Sequence, residues 1–489
     1  MLIMNDIHIK NLTTDSRQVK PGDLFIAVPG LTVDGRAYIE QAIKNGAVAV
    51  VTERKLIGHI AARFFSNPSK QLPVIGITGT SGKTSVSHFI AEIMSYCERS
   101  CGVIGTLGTG IFSEKQRFKE IRISHDEKPD KTTHDYTTPD AIAVQRTLAA
   151  LQKQNVSVVA MEVTSHALDQ NRVAGVEFDT VIFTNLTRDH LDYHQNMQTY
   201  GEVKKKLFTE FQAKQSIINL DDAFGRVLFT ELKALNKTGR VLGYSCHKIP
   251  PVPPFSKGGN NVVIADNVVL DKHGIRATVK TPWGEGELRS HLLGLFNVSN
   301  ILAALTAVCL QGVPLNAVLK AIKAISTAPG RMMRFGGNTE MPLVIVDYAH
   351  KPDALALVLE ALRGHCVGEL WCVVGCGGDR DRGKRPVMAA IGERLSDHLY
   401  LTQDNPRTED PTQIMAEMIQ GLKNPTKVIV EYDRAKAIDS AIKNAKAEDI
   451  ILVAGKGHET YQIIGTEKMP FSDKLVVEAA LERRMLCLL

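Results

Sequence analysis

The sequence predicts an α/β fold in three domains, the second built on a glycine turn and the third a Rossmann-like, doubly wound parallel sheet. Three observations predict it. Short apolar runs that read as buried strands alternate with segments of helical periodicity. Those runs end in polar, often glycine-containing loops, which a parallel sheet collects at one edge. The length of 489 residues corresponds to about three domains at roughly 100–200 residues each.

Residues 1–71 form the first domain. Val19 to Val28 reads as a turn leading into a strand. Tyr38, Ile39, Ala42 and Ile43 mark a helix that ends at Gly46, and Ala47 to Val51 is a buried strand. Asp15-Ser16-Arg17 and the glycine loops suit a ligand, and suit plain turn chemistry equally well.

The second domain spans 72–328. Val74, Ile75 and Ile77 form a strand that opens into Thr78-Gly79-Thr80-Ser81-Gly82-Lys83-Thr84. Val86, Phe89, Ile90, Ile93 and Met94 then recur at helical spacing. A helix start offers unpaired N–H groups and the positive end of a dipole, so it suits an anion. The stretch is therefore of the P-loop ATPase type. Its glycines curl round a phosphate, Lys83 neutralises the β- and γ-phosphates, and Thr84 offers a hydroxyl to Mg²⁺. Ile77 stands where the general pattern has its first glycine.

Further along, residues 113–135 read as a solvated loop. Thr138 reads as the cap of a helix over 141–152, with Pro139 at its first position. Val156 to Glu162 is a buried strand ending in a carboxylate. A carboxylate there, in one domain with a P-loop, is a metal candidate. Phe178 to Phe183 is another strand, followed by Asp189, His190, Asp192 and His194. That density at a strand end points to metal or phosphate contact. A helix over 200–208 carries Lys204, Lys205 and Lys206 on different sides, and spacing does not say which faces inward. Residues 247–261 have loop composition, 278–289 form a hairpin about Gly284, and helices follow over 301–310 and 314–325.

The third domain, 329–489, has strands at 343–347, 370–374, 398–402, 428–431 and 449–454, each followed by a polar loop. Gly375-Cys-Gly-Gly378 resembles a dinucleotide fingerprint only weakly, because Asp379-Arg-Asp-Arg382 follows instead of an apolar helix start; NAD binding is rejected. Arg380, Arg407 and Glu459 suit a zwitterion instead, with guanidinium forks for carboxylates and a carboxylate for an ammonium.

Composition limits the rest. Hydrophobic residues are 44% and charged residues 23%, ordinary for a globular protein. A net charge of +5 without a clustered basic stripe argues against nucleic acid as partner. No apolar run reaches the ~18 residues of a membrane span, and the N-terminus lacks a signal pattern, so a cytoplasmic protein is expected. Eight scattered cysteines without a Cys-x-x-Cys pair read as free thiols.

Thr78–Thr84, Glu162-Val-Thr-Ser-His166, Thr184-Asn-Leu-Thr-Arg-Asp-His190, Asn297-Val-Ser-Asn300, Pro329-Gly-Arg331 and Asp347-Tyr-Ala-His350, in this order, resemble the motifs of the Mur ligase family. Its members are ATP-dependent enzymes that add amino acids to the peptidoglycan precursor. The family's short P-loop accounts for Ile77. The resemblance implies that Gly79, Thr80, Ser81, Gly82, Lys83, Thr84 and Ser85 hold the ATP phosphates, and that Asn297, Arg331 and Asp347 contact the adenine nucleotide. It implies Mg²⁺ on Thr84 and Glu162, with a second ion near His190 and a carbamylated lysine. The family's Tyr-x-x-x-Lys pattern puts that lysine at Lys204. Lys83, Lys204 and His190 are the implied catalytic groups. Ser16, Thr137, Thr138, Thr164, Gln170 and Arg172 match positions that hold the UDP-N-acetylmuramoyl dipeptide; Tyr136 stands where many relatives have Asn. Arg380, Asp404, Asn405, Pro406, Arg407, Gly455 and Glu459 match positions for meso-2,6-diaminopimelate, and Asp404-Asn-Pro-Arg407 is the motif of members that add it. A monomer is expected. The alternatives are a lysine-adding member, more distantly a folylpolyglutamate synthase, and a nucleotide-binding scaffold without turnover.

Overall fold

The computed structural model describes residues 8–30, 33–113, 117–120, 136–235, 239–246 and 261–486. Two compact units emerge. One comprises Met1–Ile264, Thr281–Gly284 and Leu302–Ala321, the other Ala265–Lys280, Glu285–Ile301 and Ile322–Leu489.

The first unit holds two sheets. Strands β1 (Leu12–Thr13), β2 (Leu24–Ile26) and β3 (Ala49–Val51) pair in parallel in that order. The larger sheet uses β4 (Val74–Thr78), β5 (Cys101–Gly105), β6 (Gly108–Ser113), β7 (Arg117–Glu120), β8 (Val158–Glu162), β9 (Thr180–Phe183), β10 (Gln215–Asn219) and β11 (Arg240–Ser245), in the order β11-β10-β9-β4-β8-β5-β6-β7. The strands from β11 to β5 are parallel, and β6 and β7 add an antiparallel edge. Strands β4, β8 and β9 are buried throughout, as runs covered on both faces must be. Strand β7 corrects the expected loop over 113–135. Only Phe118 is apolar there, too little for a periodic signal, yet its ring sits 5.4 Å from that of Phe112. Residues 121–135 lie outside the described ones, as does nearly all of the 247–261 loop.

Strand β12 (Val262–Asp271) pairs with β11 through Val262–Ile264 and runs on into the second unit, where β13 (Gly274–Thr281) and β14 (Gly284–Ser290) follow. The second unit's main sheet contains β15 (Met333–Gly336), β16 (Leu343–Asp347), β17 (Leu370–Cys376), β18 (His398–Gln403), β19 (Ile429–Val430) and β20 (Ile450–Ala454), ordered β15-β16-β20-β17-β18-β19. All but β15 are parallel. Apolar clusters cover both faces, one centred on Leu355, Leu359, Leu401 and Leu452, the other on Val346, Ile438, Ile451 and Val477. A hairpin of β21 (Tyr461–Ile464) and β22 (Glu467–Pro470) stands beside it. Among the described residues no helix is long and apolar enough to cross a membrane.

Candidate active site

In the first unit the site begins where β4 ends. The helix Lys83–Tyr96 starts from Gly82, whose backbone is left-handed at φ 87°. Gly79 is left-handed too, at φ 147°, and a Cβ there would lie 1.9 Å from the Thr184 hydroxyl; only glycine fits. The turn is tied to the end of β9: Ser81 N–H donates to Asn185 Oδ1 at 2.9 Å, and Asn185 Nδ2 donates to the Ser81 carbonyl. Lys83 Nζ donates to the carbonyls of Gly79 and Thr80, each at 2.9 Å.

Glu162, at the end of β8, is 1% exposed. Its Oε1 accepts from Thr106 N–H, and its Oε2 accepts from Thr84 Oγ1 at 2.9 Å and from Thr106 Oγ1 at 3.2 Å. Burial pushes its pKa up, partly offset by the charge of Lys83. A Cβ at Gly105 would lie 2.2 Å from Glu162 Oε1, so that glycine makes the room for the carboxylate. No group of three or more His, Cys, Asp or Glu side chains suited to a metal occurs among the described residues. The oxygens of Thr84 and Glu162 nonetheless fit Mg²⁺, a hard cation that takes one or two protein oxygens and fills its shell with phosphate and water.

Of the three lysines on the helix Met197–Thr209, Lys204 faces inward at 1% exposure. Its Nζ donates to the Gly79 carbonyl at 2.9 Å, the same oxygen that Lys83 uses, and lies 4.4 Å from the Tyr200 ring centre. Burial first, and the Lys83 charge second, hold its pKa well below the usual ammonium value. Lys205 and Lys206 pair outward with Glu231 and Asp169. His190 is left-handed at φ 53°, with its ring 4.9 Å from that of His166 and 6.2 Å from that of Tyr200.

Thr164, Arg172 and, through Arg172, Gln170 gather at Thr138, whose hydroxyl is engaged on two sides. It donates to the Glu162 carbonyl at 2.9 Å and to Thr164 Oγ1 at 3.3 Å. Arg172 donates to the Thr138 carbonyl and to Gln170, and stacks 4.4 Å from the Tyr136 ring centre. Thr137 Oγ1 lies 3.2 Å from that of Thr106. Thr138 is therefore not the helix cap it was expected to be. Asp140 caps the helix Ala141–Lys153, accepting from both Ile142 and Ala143, because a carboxylate one residue from the helix start outbids a hydroxyl already engaged elsewhere. Ser16 sits apart, bonded to Gln41 beside the small sheet.

In the second unit the loops at the carboxyl ends of β18 and β20 bring the residues expected to hold the amino acid together. Asp404, Asn405 and Pro406 are buried, and Arg407 is half-buried with its backbone left-handed at φ 53°. Strain of this kind persists only where surroundings enforce it, and the β21–β22 hairpin does so. Arg407 N–H donates to the Ile463 carbonyl, Gly465 N–H to the Arg407 carbonyl, and Gln462 Nε2 to the Asp404 carbonyl. Arg407 Nη1 donates to the Gly378 carbonyl at 2.7 Å. Glu459 Oε2 accepts from Asn405 Nδ2 at 3.1 Å, and Gly455 lies beside Asp404. Arg380 is exposed and, among the described residues, bonds the adjacent carbonyl of Asp379. Asp347 is buried, accepting from Met332 and Ala349 N–H, and Arg331 stands 5.6 Å from the Tyr348 ring centre. Asn297 is buried and bonds Leu293 and Asn300. A cavity of about 1430 Å³ in the first unit, lined by Pro73, Phe178, Asp179 and Lys214, opens at the amino ends of β4, β9 and β10 and includes none of these residues.

Three family models match: the Mur ligase middle domain at residues 77–308, the Mur ligase glutamate ligase domain at 330–457 and the Mur ligase family catalytic domain at 8–94. The UDP-N-acetylmuramoyl-L-alanyl-D-glutamate–2,6-diaminopimelate ligase of Ectopseudomonas mendocina (strain ymp) is 45% identical over 97% of this chain and 95% of its own. The chain belongs to the Mur ligase family. The Coxiella burnetii (strain RSA 493 / Nine Mile phase I) protein of that name is 44% identical over 96% of this Mur ligase and 94% of its own length. A solved structure of a ligase so named is 33% identical, with a TM-score of 0.74 over 98% of this chain and 95% of that one. A Mycobacterium tuberculosis folylpolyglutamate synthase, 17% identical with a TM-score of 0.60 over 82% of this chain and 92% of its own, shares the fold alone.

Sequence reasoning passed over several residues of this Mur ligase's site. Thr106, which bonds Glu162, carries no motif signal outside the fold; Tyr200, which bonds Thr80, entered only as the first position of the pattern that marks Lys204. Asn185 lay inside a quoted block, but its bond to Ser81 crosses 104 positions. Lys456, in the loop after β20, is 0% exposed beneath Asp404 and Glu459. A lone lysine between two glycines in a polar loop usually faces solvent, and nothing in the sequence marks this one as buried.

Proposed function

We propose that this Mur ligase joins meso-2,6-diaminopimelate to UDP-N-acetylmuramoyl-L-alanyl-D-glutamate, converting ATP to ADP and phosphate, as a cytoplasmic, monomeric step in making the peptidoglycan precursor. The observation that carries the reading is the loop Asp404–Arg407, whose arginine is fixed by its backbone bonds to the hairpin, in a chain 45% identical to a relative named for that reaction. The three domains are 1–71 for the UDP sugar, 72–328 for ATP and 329–489 for the amino acid. Ser16, Thr137, Thr138, Thr164, Gln170 and Arg172 hold the UDP dipeptide. Arg380, Asp404 to Arg407, Gly455 and Glu459 hold diaminopimelate, and Asn297, Arg331 and Asp347 the adenosine.

In the reaction the D-glutamate γ-carboxylate attacks the γ-phosphorus of ATP, and the bond to the ADP oxygen breaks. The diaminopimelate amine attacks the resulting acyl phosphate, and phosphate leaves from the tetrahedral adduct. Gly79 to Ser85 cradle the phosphates through backbone N–H groups, and Lys83 offsets charge on the transferring phosphoryl group. Thr84 and Glu162 would hold Mg²⁺, with His190 and Lys204 at a second ion; the metal would supply electrostatic stabilisation of the phosphoryl oxygens. Release of ADP should require the UDP dipeptide and diaminopimelate together, with lysine at equal concentration giving at most a few per cent of the rate. Equal rates with lysine would move the assignment to the lysine-adding class.

Lys204 is the lysine to carry the carbamate. Its buried amine shares one carbonyl with Lys83, and the neutral amine, adding CO₂ through its lone pair and losing one proton, would set an anion against the Lys83 cation. In ¹³C-bicarbonate the protein should give a carbamate resonance that Lys204→Ala lacks. Its absence from the wild-type spectrum would remove Lys204 from the metal site.

A further inference from the structure

We infer that Lys456 is the positioning residue of the amino-acid pocket, offsetting one of its two carboxylates and setting the free edge of Glu459. The inference rests on the diaminopimelate reading of that pocket. Lys456 is wholly buried, 0% exposed, in the left-handed turn that follows β20. Its Nζ donates to Asn405 Oδ1 at 3.0 Å and to Glu459 Oε2 at 2.8 Å, and lies 3.5 Å from Asp404 Oδ1. One ammonium thus joins three of the side chains assigned to the ligand, two from the loop after β18 and one from the loop after β20.

Two consequences follow from that geometry. Asp404 and Glu459 bring two carboxylates to the site; Lys456 offsets one of them, leaving one for a substrate ammonium beside the Arg380 and Arg407 guanidinium groups assigned to its carboxylates. Glu459 Oε2 is also fully engaged, by Lys456 and by Asn405 Nδ2, whereas no hydrogen bond to Oε1 is found among the described residues. Oε1 is therefore the oxygen turned to the ligand. Asn405 Oδ1 in turn accepts from both Lys456 and Ile463 N–H, so the same lysine fixes the amide's orientation and leaves the hairpin in register with the loop. Lys456 touches no ligand in this arrangement. It acts through Glu459 and Asn405.

The test is a cycle of Lys456→Met, Glu459→Gln and the double variant, assayed by ADP release with each substrate varied in turn. Leaving two buried partners of a charge unpaired should raise KM for diaminopimelate about 10- to 100-fold. KM for ATP and for the UDP dipeptide should stay within about twofold. The double variant should be no worse than the poorer single one, because both remove the same interaction. Lys456→Gln, which restores a donor without the charge, should recover part of the KM, and it serves as the test if Lys456→Met does not fold. An unchanged KM for diaminopimelate in folded variants, or additive effects of the two substitutions, would overturn the inference. The proposed reaction itself fails separately, if the unaltered enzyme shows no diaminopimelate-dependent ADP release.

Discussion

Lys83→Ala is expected to lower kcat for ADP release by about 10²–10³-fold, the range seen when one preorganised charge or donor is taken from a transition state. Lys83 opens the helix Lys83–Tyr96, and its side chain folds back over the turn to the Gly79 and Thr80 carbonyls. It sits where the dipole of that helix already favours negative charge, so the ammonium and the unpaired N–H groups act on the same phosphates. Their reach differs, however. The backbone groups are present in every variant and hold the ground-state polyphosphate, while the ammonium follows charge as it moves during transfer. The loss should therefore fall on kcat more than on KM for ATP. Lys83→Arg should not restore it, because the guanidinium is planar and longer, and the two carbonyls that orient Nζ lie one residue apart. Folding should survive, since Lys83 is only half-buried and the Gly79 carbonyl keeps Lys204 as a donor. Phosphate release at saturating substrates, beside a thermal melt, makes the check. A variant within threefold of the wild-type kcat would exclude Lys83 from the phosphoryl transfer.

How much of this was legible in the sequence follows the range of each interaction. The strands β4, β8 and β9 and the P-loop were readable because their signal is local: a run of apolar residues, then glycine at the positions where the backbone turns left-handed. The order of strands in the sheet was not, because β4 lies between β8 and β9 although 79 residues separate the end of β4 from the start of β8. The Thr138 cap shows the same limit at short range. Serine, threonine and aspartate all cap helices, and Thr138 lost the role to Asp140 only because its hydroxyl is spent on the Glu162 carbonyl. Lys204 could be singled out from Lys205 and Lys206 only by its resemblance to a family pattern. The physical reason it differs, the Gly79 carbonyl facing it across 125 positions, is a tertiary fact. Lys456 and the hairpin at 461–470 had no such pattern to flag them, and they are the parts of the amino-acid pocket that came from the fold alone.

Asp473→Ala is expected to destabilise the second unit by about 3–5 kcal/mol, the cost of leaving one charge of a buried pair without its partner. Arg434 and Asp473 both have side chains 0% exposed, and the guanidinium meets the carboxylate as a fork, with Nε–Oδ1 and Nη2–Oδ2 each at 2.7 Å. The same guanidinium donates to the Ala454 carbonyl at 2.9 Å and, more weakly, to the Gln403 carbonyl at 3.4 Å. It therefore joins the helices Arg434–Asn444 and Asp473–Leu486 to the ends of β18 and β20, the two strands whose following loops form the amino-acid pocket. Removing Asp473 leaves Arg434 too deep to reach water and still attached to those strand ends, so the damage should appear at β18 and β20 first. Hydrogen exchange resolves this better than a single melt, because a chain of two units need not unfold in one step. Amides of β18 and β20 should exchange faster by a factor matching the lost free energy, while those of β4, β8 and β9 in the first unit keep their protection. The paired change Arg434→Met with Asp473→Leu removes both charges and fills similar volume; it should recover most of the stability. It should not recover the KM for diaminopimelate fully, because the Ala454 and Gln403 carbonyls lose their donor and the two loops lose their common anchor. Equal protection of β18 and β20 in Asp473→Ala and in the wild type would mean that the pair contributes nothing to holding the pocket together.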